Sequence, residues 1–254
     1  MAHRETKASE KESPMKVKKL ETKKSHLPQT EYMSLNIINR FPSMLLIVGR
    51  SGSGKSTVCT YICSSAEFYG GGFFHKIYLF SPTAGADDLV EHMKLPKDHI
   101  ITNPTDEKLN GLLDAQDSLI ESKGIEWVGK HSRVLFIFDD IISHKKFLNG
   151  PAMLRLAAMG RHSLASSIIL AQSYTRVPRP VRLQANGLIL FPSSNSEIEL
   201  LCEEYCPPHT KKGYFLNMVE QATDGEHSFL YINNMAEAGH HFRKNFDTLL
   251  TIHT

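Results

Sequence analysis

A five-residue apolar run, Met44–Val48, leads directly into a segment of glycines, serines and one lysine, and then into a helical pattern. The segment reads Gly49, Arg50, Ser51, Gly52, Ser53, Gly54, Lys55 and Ser56, and Thr57 follows it. This order matches G-x-x-x-x-G-K-[ST] between a strand and a helix, which is the context that identifies a phosphate-binding loop. We therefore predict an α/β fold built around a nucleotide site.

The residues of this loop are expected to contribute in different ways to binding a triphosphate. The glycines let backbone N–H groups turn towards the phosphates, and the N-terminus of the next helix adds a favourable dipole. Lys55 is expected to reach the β- and γ-phosphates, and the Ser56 hydroxyl is expected to bind Mg²⁺. Residues 49–57 are thus predicted to bind ATP together with Mg²⁺.

A magnesium-triphosphate site also requires a carboxylate at the end of a strand. The apolar run Val134–Phe138 ends in two acids, Asp139 and Asp140. We predict that Asp139 is the acid on the metal side and that Asp140 orients or deprotonates the attacking water. The alternative for Asp140 is a helix cap or a loop ion pair.

Two further polar residues flank a later strand. Gln172 follows the apolar segment Ser167–Ala171, and ligands of open α/β sheets bind at the carboxyl ends of strands. Gln172 is therefore a candidate sensor of the γ-phosphate or water, with a loop-capping amide as the alternative. Arg161 precedes the same segment, and it is either an arginine finger for a neighbouring subunit or a partner of a carboxylate in its own subunit.

Short apolar runs separated by helical or polar stretches predict a mostly parallel sheet covered on both faces. Asp106–Lys123 has a helical apolar stripe. The predicted strands are Met44–Val48, Lys76–Phe80, Val134–Phe138, Ser167–Ala171, Gly187–Phe191 and Ser228–Ile232.

Charge is distributed unevenly along the 254 residues. Residues 1–27 hold eight Lys or Arg and four Asp or Glu, a net charge of +4, which leaves −2 for residues 28–254 of the total of +2. We predict a disordered basic tail over 1–27, an ATPase domain over 28–254, and an appended extension over 207–254. Because the body is not basic, any contact with nucleic acid requires a local patch or several subunits arranged around the strand.

The four cysteines do not indicate a disulfide framework, since the N-terminus lacks the apolar stretch of a secretory signal. Cys202 and Cys206 with His209 resemble zinc ligands, but no second compact Cys/His pair completes such a site. No apolar run approaches the length of about 18 residues that a membrane span needs. We therefore expect no membrane partner and a protein that acts inside a cell.

Three blocks of the sequence resemble the FtsK/HerA superfamily of DNA-pumping ATPases. They are the loop GRSGSGKST, the strand FIFDD, and GRHSLASSIILAQS with the following Pro180-Val181-Arg182 and the strand GLILF. Within that superfamily the chain is most similar to the genome-packaging ATPases of nucleocytoplasmic large DNA viruses and virophages. The resemblance covers roughly residues 43–206, and it assigns functional roles to Gln172 and Arg161.

This resemblance implies a three-layer P-loop NTPase of RecA-like strand order, with Asp139 on the strand beside the phosphate loop. It also implies ATP-driven translocation of double-stranded DNA into a capsid by a homo-oligomeric ring, a pentamer or hexamer, in the host-cell cytoplasm or virus factory and in the virion. The implied partners are double-stranded DNA and viral capsid proteins. The segment Ile142–Gly150, with His144, Lys145 and Lys146, either faces a central pore or is an ordinary solvated loop.

Two other functions remain open at the level of the sequence. A small-molecule or nucleoside kinase shares the phosphate loop but needs an acceptor pocket and an arginine-bearing lid. A nucleotide-dependent switch or assembly protein would use ATP to order loops for a partner. Asp140 stands where many cellular members of the superfamily have Glu, which weakens its assignment as the water-activating acid.

Overall fold

The computed structural model describes residues 27–84 and 88–252 of the chain. Apart from Leu27, the predicted basic tail lies outside the described residues. One mixed sheet organises the described part of the chain, and its strands come in the spatial order β3-β2-β4-β5-β1-β6-β7-β8-β9. They are β1 Met44–Val48, β2 Lys76–Phe80, β3 Ile100–Ile101, β4 Val134–Phe138, β5 Ala165–Ala171, β6 Gly187–Leu190, β7 Leu230–Asn233, β8 Phe242–Lys244 and β9 Thr248–Leu250.

The sheet is parallel from β3 to β6 and antiparallel from β6 to β9. The predicted strands are confirmed, with shifts of up to two residues at their ends, and so is the mostly parallel α/β fold. In β1, β4, β5 and β6 every residue is buried. This explains their continuous apolar sequences, because strands covered on both faces have no solvent-facing side.

The predicted position of the Asp139 strand is wrong. β4, which ends just before Asp139, pairs with β2 and β5, whereas the phosphate-loop strand β1 pairs with β5 and β6. The strand that ends before Gln172 therefore lies between the other two. Adjacency was not readable from the sequence, because a crossover connection can place the next parallel strand on either side of a neighbour.

Helices cover both faces of the sheet. They are α1 Glu31–Ser34, α2 Lys55–Ser64, α3 Asp88–Met93, α4 Asp106–Lys123, α5 Ile125–His131, α6 Lys145–Leu148, α7 Pro151–Met159, α8 Arg179–Arg182, α9 Asn195–Tyr205 and α10 Lys212–Thr223. Short 3-10 turns occupy Lys97–His99, Ile141–Ser143 and Tyr174–Arg176. The helix predicted over Asp106–Lys123 is confirmed, and it begins where the Thr105 side chain accepts a hydrogen bond from the Lys108 N–H.

Alternating strand residues divide the apolar interior into two cores. Leu46 of β1 and Phe136 of β4 face one core, which also contains buried residues of α4, α7 and α10. Leu45 and Leu135 face the other core, with residues of α2, α3 and α5. This alternation produces three layers, because successive side chains of a strand point to opposite faces.

The C-terminal part of the chain contributes to the same sheet and to the same cores. Phe215 of α10 is fully buried in the first core, and β7 pairs with β6 over four residues. Tyr231 of β7 is fully buried in the second core. Among the described residues, no helix is both long enough and apolar enough to cross a membrane.

Candidate active site

The phosphate loop occupies the turn between β1 and α2. Gly52 has a φ of +76° and Gly54 a φ of +102°, a region that residues with a Cβ rarely adopt. Gly49 is constrained by space instead, since a Cβ there would lie 2.5 Å from Ser53 Oγ and 2.7 Å from Phe191 Cβ. Backbone conformation therefore favours glycine at positions 52 and 54, and lack of space favours it at position 49.

Lys55, the first residue of α2, folds back over this loop. Its Nζ donates a hydrogen bond of 2.9 Å to the Arg50 carbonyl oxygen. Partial burial lowers the pKa of Lys55, and the carboxylates of Asp139 and Asp140 oppose that shift. The Lys55 ammonium group therefore lies close to the loop and to the two carboxylates, whose negative charge favours its protonated form.

Asp139 and Asp140 directly follow strand β4. The Asp139 N–H donates to the Phe80 carbonyl at 2.9 Å, which extends the pairing of β4 with β2 by one residue. Asp140 then adopts a left-handed backbone conformation, with φ at +50°. The chain turns sharply at this point, so the two successive carboxylates are separated by a change of backbone direction.

Gln172 connects the acids to the phosphate-loop side of the sheet. It follows β5, the strand between β4 and β1, and its Nε2 donates a hydrogen bond of 3.1 Å to Asp140 Oδ1. The carboxyl ends of these three parallel strands meet at one edge, where ligands of such sheets bind. The Gln172 amide thus contacts a predicted catalytic carboxylate, and its two possible roles, a sensor or a loop-capping amide, both stay predictions.

These residues surround one open cavity of about 440 Å³. Its lining includes Lys55, Ser56, Thr57, Asp139, Asp140 and Gln172, with Ser51, Gly52 and Gly54 of the loop. Gly49, Arg50 and Ser53 belong to the same loop but do not line the cavity. The structure thus brings together most of the sequence-predicted site residues.

Arg161 is the exception. It is exposed and precedes β5, whereas the cavity lies beyond the other end of that seven-residue strand. A strand of this length spans about 23 Å, so the side chain does not reach the cavity of its own subunit. Among the described residues no carboxylate forms an ion pair with Arg161, and the residue lines surface clefts beside Asn186.

His227 was missed by sequence reasoning. It lies in the loop between α10 and β7, lines the nucleotide cavity, and its Nδ1 is hydrogen-bonded to the Ser53 carbonyl oxygen at 3.1 Å. Thr83, after β2, also lines the cavity. Nothing around His227 in the sequence signals a site, because its contact depends on the fold of a segment 174 positions away.

The cavity has the donor chemistry that Mg²⁺ prefers. The Ser56 hydroxyl and the Asp139 carboxylate both line the cavity, and they are the kind of hard oxygen group that Mg²⁺ favours. In the described part of the chain no group of three or more His, Cys, Asp or Glu side chains is placed to hold a metal alone. A cation held by Ser56 and Asp139 would therefore complete its coordination shell with phosphate and water oxygens, as is usual for Mg²⁺.

Comparison with known proteins adds a family and a fold. The family described as Poxvirus A32 protein matches residues 30–248. No curated protein matches the chain.

Solved structures of similar fold come from viruses and bacteria. The genome packaging NTPase B204 from Sulfolobus turreted icosahedral virus 2, in complex with AMP, has a TM-score of 0.55 and 14% identity, over 80% of this chain and 96% of that chain. The cytoplasmic domain of the Type VII secretion ATPase EccC from Thermomonospora curvata has a TM-score of 0.52 and 13% identity, over 77% of this chain and 24% of that one. EssC from Geobacillus thermodenitrificans, ATPases 2 and 3, has a TM-score of 0.51 and 16% identity, over 76% and 38%.

At these identities the structural likeness shows the fold alone, that of P-loop ATPases. The family match and the shared fold together confirm the resemblance inferred from the three sequence blocks. Because the family match extends from residue 30 to residue 248, this chain belongs to the poxvirus A32 protein family.

Proposed function

We propose that this protein is a viral genome-packaging ATPase, which hydrolyses ATP to move double-stranded DNA into a capsid. One observation carries the proposal: a single cavity at the carboxyl edge of the sheet gathers the phosphate loop, two successive acids and Gln172. The similar protein B204 is described as a genome packaging NTPase and as a DNA-packaging ATPase. Family membership and the site chemistry therefore support the same activity.

The phosphate loop holds the triphosphate in this proposal. Backbone N–H groups of residues 51–56 bind its oxygens, and Lys55 exchanges its bond to the Arg50 carbonyl for a bond to phosphate. Ser56 and Asp139 would hold Mg²⁺, which supplies positive charge to the phosphate oxygens when bound. In this arrangement the phosphates share the cavity with Asp139 and Asp140.

Asp140 acts on the water. A water oxygen forms a bond to the γ-phosphorus while the bond from that phosphorus to the bridging oxygen breaks, and ADP leaves with the electron pair. Asp140 accepts the proton of the water, and Gln172 restrains that carboxylate through the hydrogen bond that it donates to Asp140 Oδ1. Asp140 is therefore assigned the role of general base.

Arg161 is proposed to act on a neighbouring subunit. Its distance from its own cavity and its exposure suit contact with another copy, and head-to-tail interfaces that close produce rings. A pentameric or hexameric ring would place one subunit's Arg161 at the next subunit's phosphates. Such a ring would bind double-stranded DNA at its centre and viral capsid proteins at its face, in the host cytoplasm and on the assembling virion.

ATP turnover with and without linear double-stranded DNA tests the proposal. We expect DNA to stimulate wild-type turnover, and we expect Lys55→Ala to reduce turnover to background, since it removes the cation of the phosphate loop. Lys123→Ala, at the exposed end of α4, is the control and should behave as wild type. Wild-type turnover in Lys55→Ala would refute the active site assigned here.

The same assay separates the two alternatives. A nucleoside kinase would respond to an acceptor and transfer phosphate to it, while DNA would leave its rate unchanged. A nucleotide-dependent switch would bind ATP tightly and turn it over slowly under both conditions. Either pattern would replace the packaging proposal.

A further inference from the structure

A second cavity lies directly beside the nucleotide cavity. It has a volume of about 550 Å³ and is lined by Lys145, Arg176, Ser143 and Asn149, among others. Asp140 and Gln172 line both cavities. We call this second cavity the cationic groove.

The shared wall is the pair of residues that the proposed hydrolysis depends on. Gln172 Nε2 donates to Asp140 Oδ1 at 3.1 Å, so the two cavities share a hydrogen-bonded pair of side chains. A group that enters the cationic groove can therefore also reach the Gln172 amide and the Asp140 carboxylate.

Two loops place the cations of the groove. Lys145 begins the four-residue helix α6, and the buried side chains of Phe147 and Leu148 anchor this helix. Arg176 ends the 3-10 turn after β5, and buried Tyr174 and Val177 anchor this turn. Both loops follow adjacent parallel strands, so their cations stand at the same edge of the sheet.

The charge of the groove favours an anion. Lys145 and Arg176 are exposed, and within the described residues neither side chain forms an ion pair or a hydrogen bond. Asp140 is the only acid on the lining, against these two cations. Ser143 and Asn149 add polar side chains that suit the oxygen atoms of a phosphate.

We propose that the cationic groove binds a backbone phosphate of double-stranded DNA, and that this phosphate controls Asp140 through Gln172. The inference rests on the proposed function and adds the site by which DNA is sensed. A phosphate oxygen in the groove competes with Asp140 for the Gln172 amide N–H. Once that hydrogen bond is given up, the Asp140 carboxylate is free to turn to the water, and hydrolysis accelerates.

DNA fits this groove better than free phosphate does. Two exposed cations in an open cavity hold a single small ion weakly, because solvent and salt screen them. A polyanion adds the release of its condensed counterions for each phosphate that is neutralised. Residues 28–254 carry a net charge of −2, so DNA has to bind at a local patch of positive charge. Lys145 and Arg176 form such a patch, and a contact there can affect hydrolysis because Asp140 lines the same groove.

Matched substitutions test the groove. Lys145→Ala and Arg176→Ala remove its cations, whereas Lys146→Ala and Arg179→Ala remove neighbouring exposed charges that do not line it. We expect the first pair to lose DNA stimulation of ATP turnover, and the control pair to keep it. The slope of log affinity for a linear duplex against log salt should fall by about 1 for each groove variant that loses a phosphate contact.

A second variant tests the coupling itself. Gln172→Leu removes the shared donor while leaving both cations, so it should still bind the duplex with wild-type salt dependence. Its turnover rates with and without DNA should become equal. A preserved ratio of these rates would show that Gln172 does not transmit DNA binding.

The remaining outcomes decide between this inference and the function on which it rests. Absence of DNA stimulation in the wild type would refute both. Stimulation that survives in Lys145→Ala and Arg176→Ala, or that falls equally in their controls, would refute the groove alone. Stimulation by inorganic phosphate without DNA, or loss of oligomer mass in the groove variants by light scattering, would assign the groove to a free anion or to a neighbouring subunit instead.

Discussion

The two successive acids differ in backbone conformation, and that difference matches the separate roles proposed for them. Asp139 continues the strand pairing through its N–H, so its position is fixed by the sheet. Asp140 stands in the left-handed region and contacts Gln172, so its carboxylate is set by a turn and a hydrogen bond. A rigid acid suits a metal, and an acid held by one exchangeable hydrogen bond suits proton transfer.

Substitution of each acid by its amide should therefore give different defects. Asp140→Asn should bind ATP normally and lose turnover by about 100-fold or more, because it removes the general base. Asp139→Asn should additionally weaken ATP binding, and only in the presence of Mg²⁺. Nucleotide titration with and without Mg²⁺, beside turnover rates, distinguishes the two. Normal hydrolysis by Asp140→Asn would assign the base elsewhere.

Residues of the site that belong to a local pattern were predictable from sequence. The phosphate loop was readable because its glycines, Lys55 and Ser56 are adjacent, and Asp139 because an acid ends a five-residue apolar strand. His227 was not predictable, because it reaches Ser53 from the loop before β7. The position of Arg161 at the far end of β5 was readable, because Arg161 precedes that strand in the sequence whereas Gln172 follows it.

At the scale of elements, the position of β5 accounts for the geometry of the site. A central strand between β1 and β4 places Gln172 between the phosphate loop and the acids. The strands themselves were predictable, since burial on both faces leaves long apolar runs. Their order was not, because sequence position does not fix on which side of a neighbour a crossover strand pairs.

A buried ion pair between Arg182 and Glu204 joins α8 to α9. Arg182 Nη2 contacts Glu204 Oε1 at 2.7 Å, and their side chains are only 7% and 13% exposed. The Tyr174 hydroxyl also donates to Glu204. The pair thereby fixes the end of the loop that carries Arg176.

Arg182→Ala should lower the free energy of unfolding by about 3 kcal/mol, because it leaves the Glu204 carboxylate buried without its cation. Arg155→Ala is the matched control. Arg155 contacts Asp114 and Asp117, but Asp114 is 63% exposed, so its loss should cost less than about 1 kcal/mol. Denaturant unfolding of both variants measures the difference, and equal losses would contradict this account of the pair.

The same pair predicts a pH dependence. Burial alone would raise the pKa of Glu204, but the hydrogen bonds from Arg182 and Tyr174 outweigh it and lower the pKa below 4.5. A depressed carboxyl pKa gives stability that is fully present above pH 4.5 and is lost as the pH falls through the folded-state pKa. The difference in free energy of unfolding between wild type and Arg182→Ala should therefore become smaller as the pH falls through the folded-state pKa of Glu204. A difference that does not change with pH would contradict a stabilising contact between Arg182 and the Glu204 carboxylate.

For the whole molecule, the positions of the nucleotide cavity and of Arg161 bear on assembly. The edge that carries the nucleotide cavity and the edge that carries Arg161 are opposite ends of the same sheet. Head-to-tail contacts between such edges close into rings when the rotation permits. One subunit's arginine would then complete the next subunit's site.

Mixing of variants tests this arrangement. Arg161→Ala should fold, bind ATP and assemble, yet lose roughly 10³-fold or more in turnover, as when an arginine finger is removed. Adding Lys55→Ala subunits should restore part of the activity, because an intact phosphate loop then meets an intact Arg161 across an interface. Loss of thermal stability in Arg161→Ala, with no recovery on mixing, would indicate a structural arginine instead.

Displacement of a third strand measures the movement of a protein along duplex DNA. A triplex-forming oligonucleotide bound near one end of a linear duplex is released when a motor passes through it. We expect the wild-type protein to release it with ATP but not with a nonhydrolysable analogue, and we expect Asp140→Asn to release none. Equal release by the wild type and Asp140→Asn, or no release by a wild type whose ATP turnover responds to DNA, would contradict ATP-driven translocation.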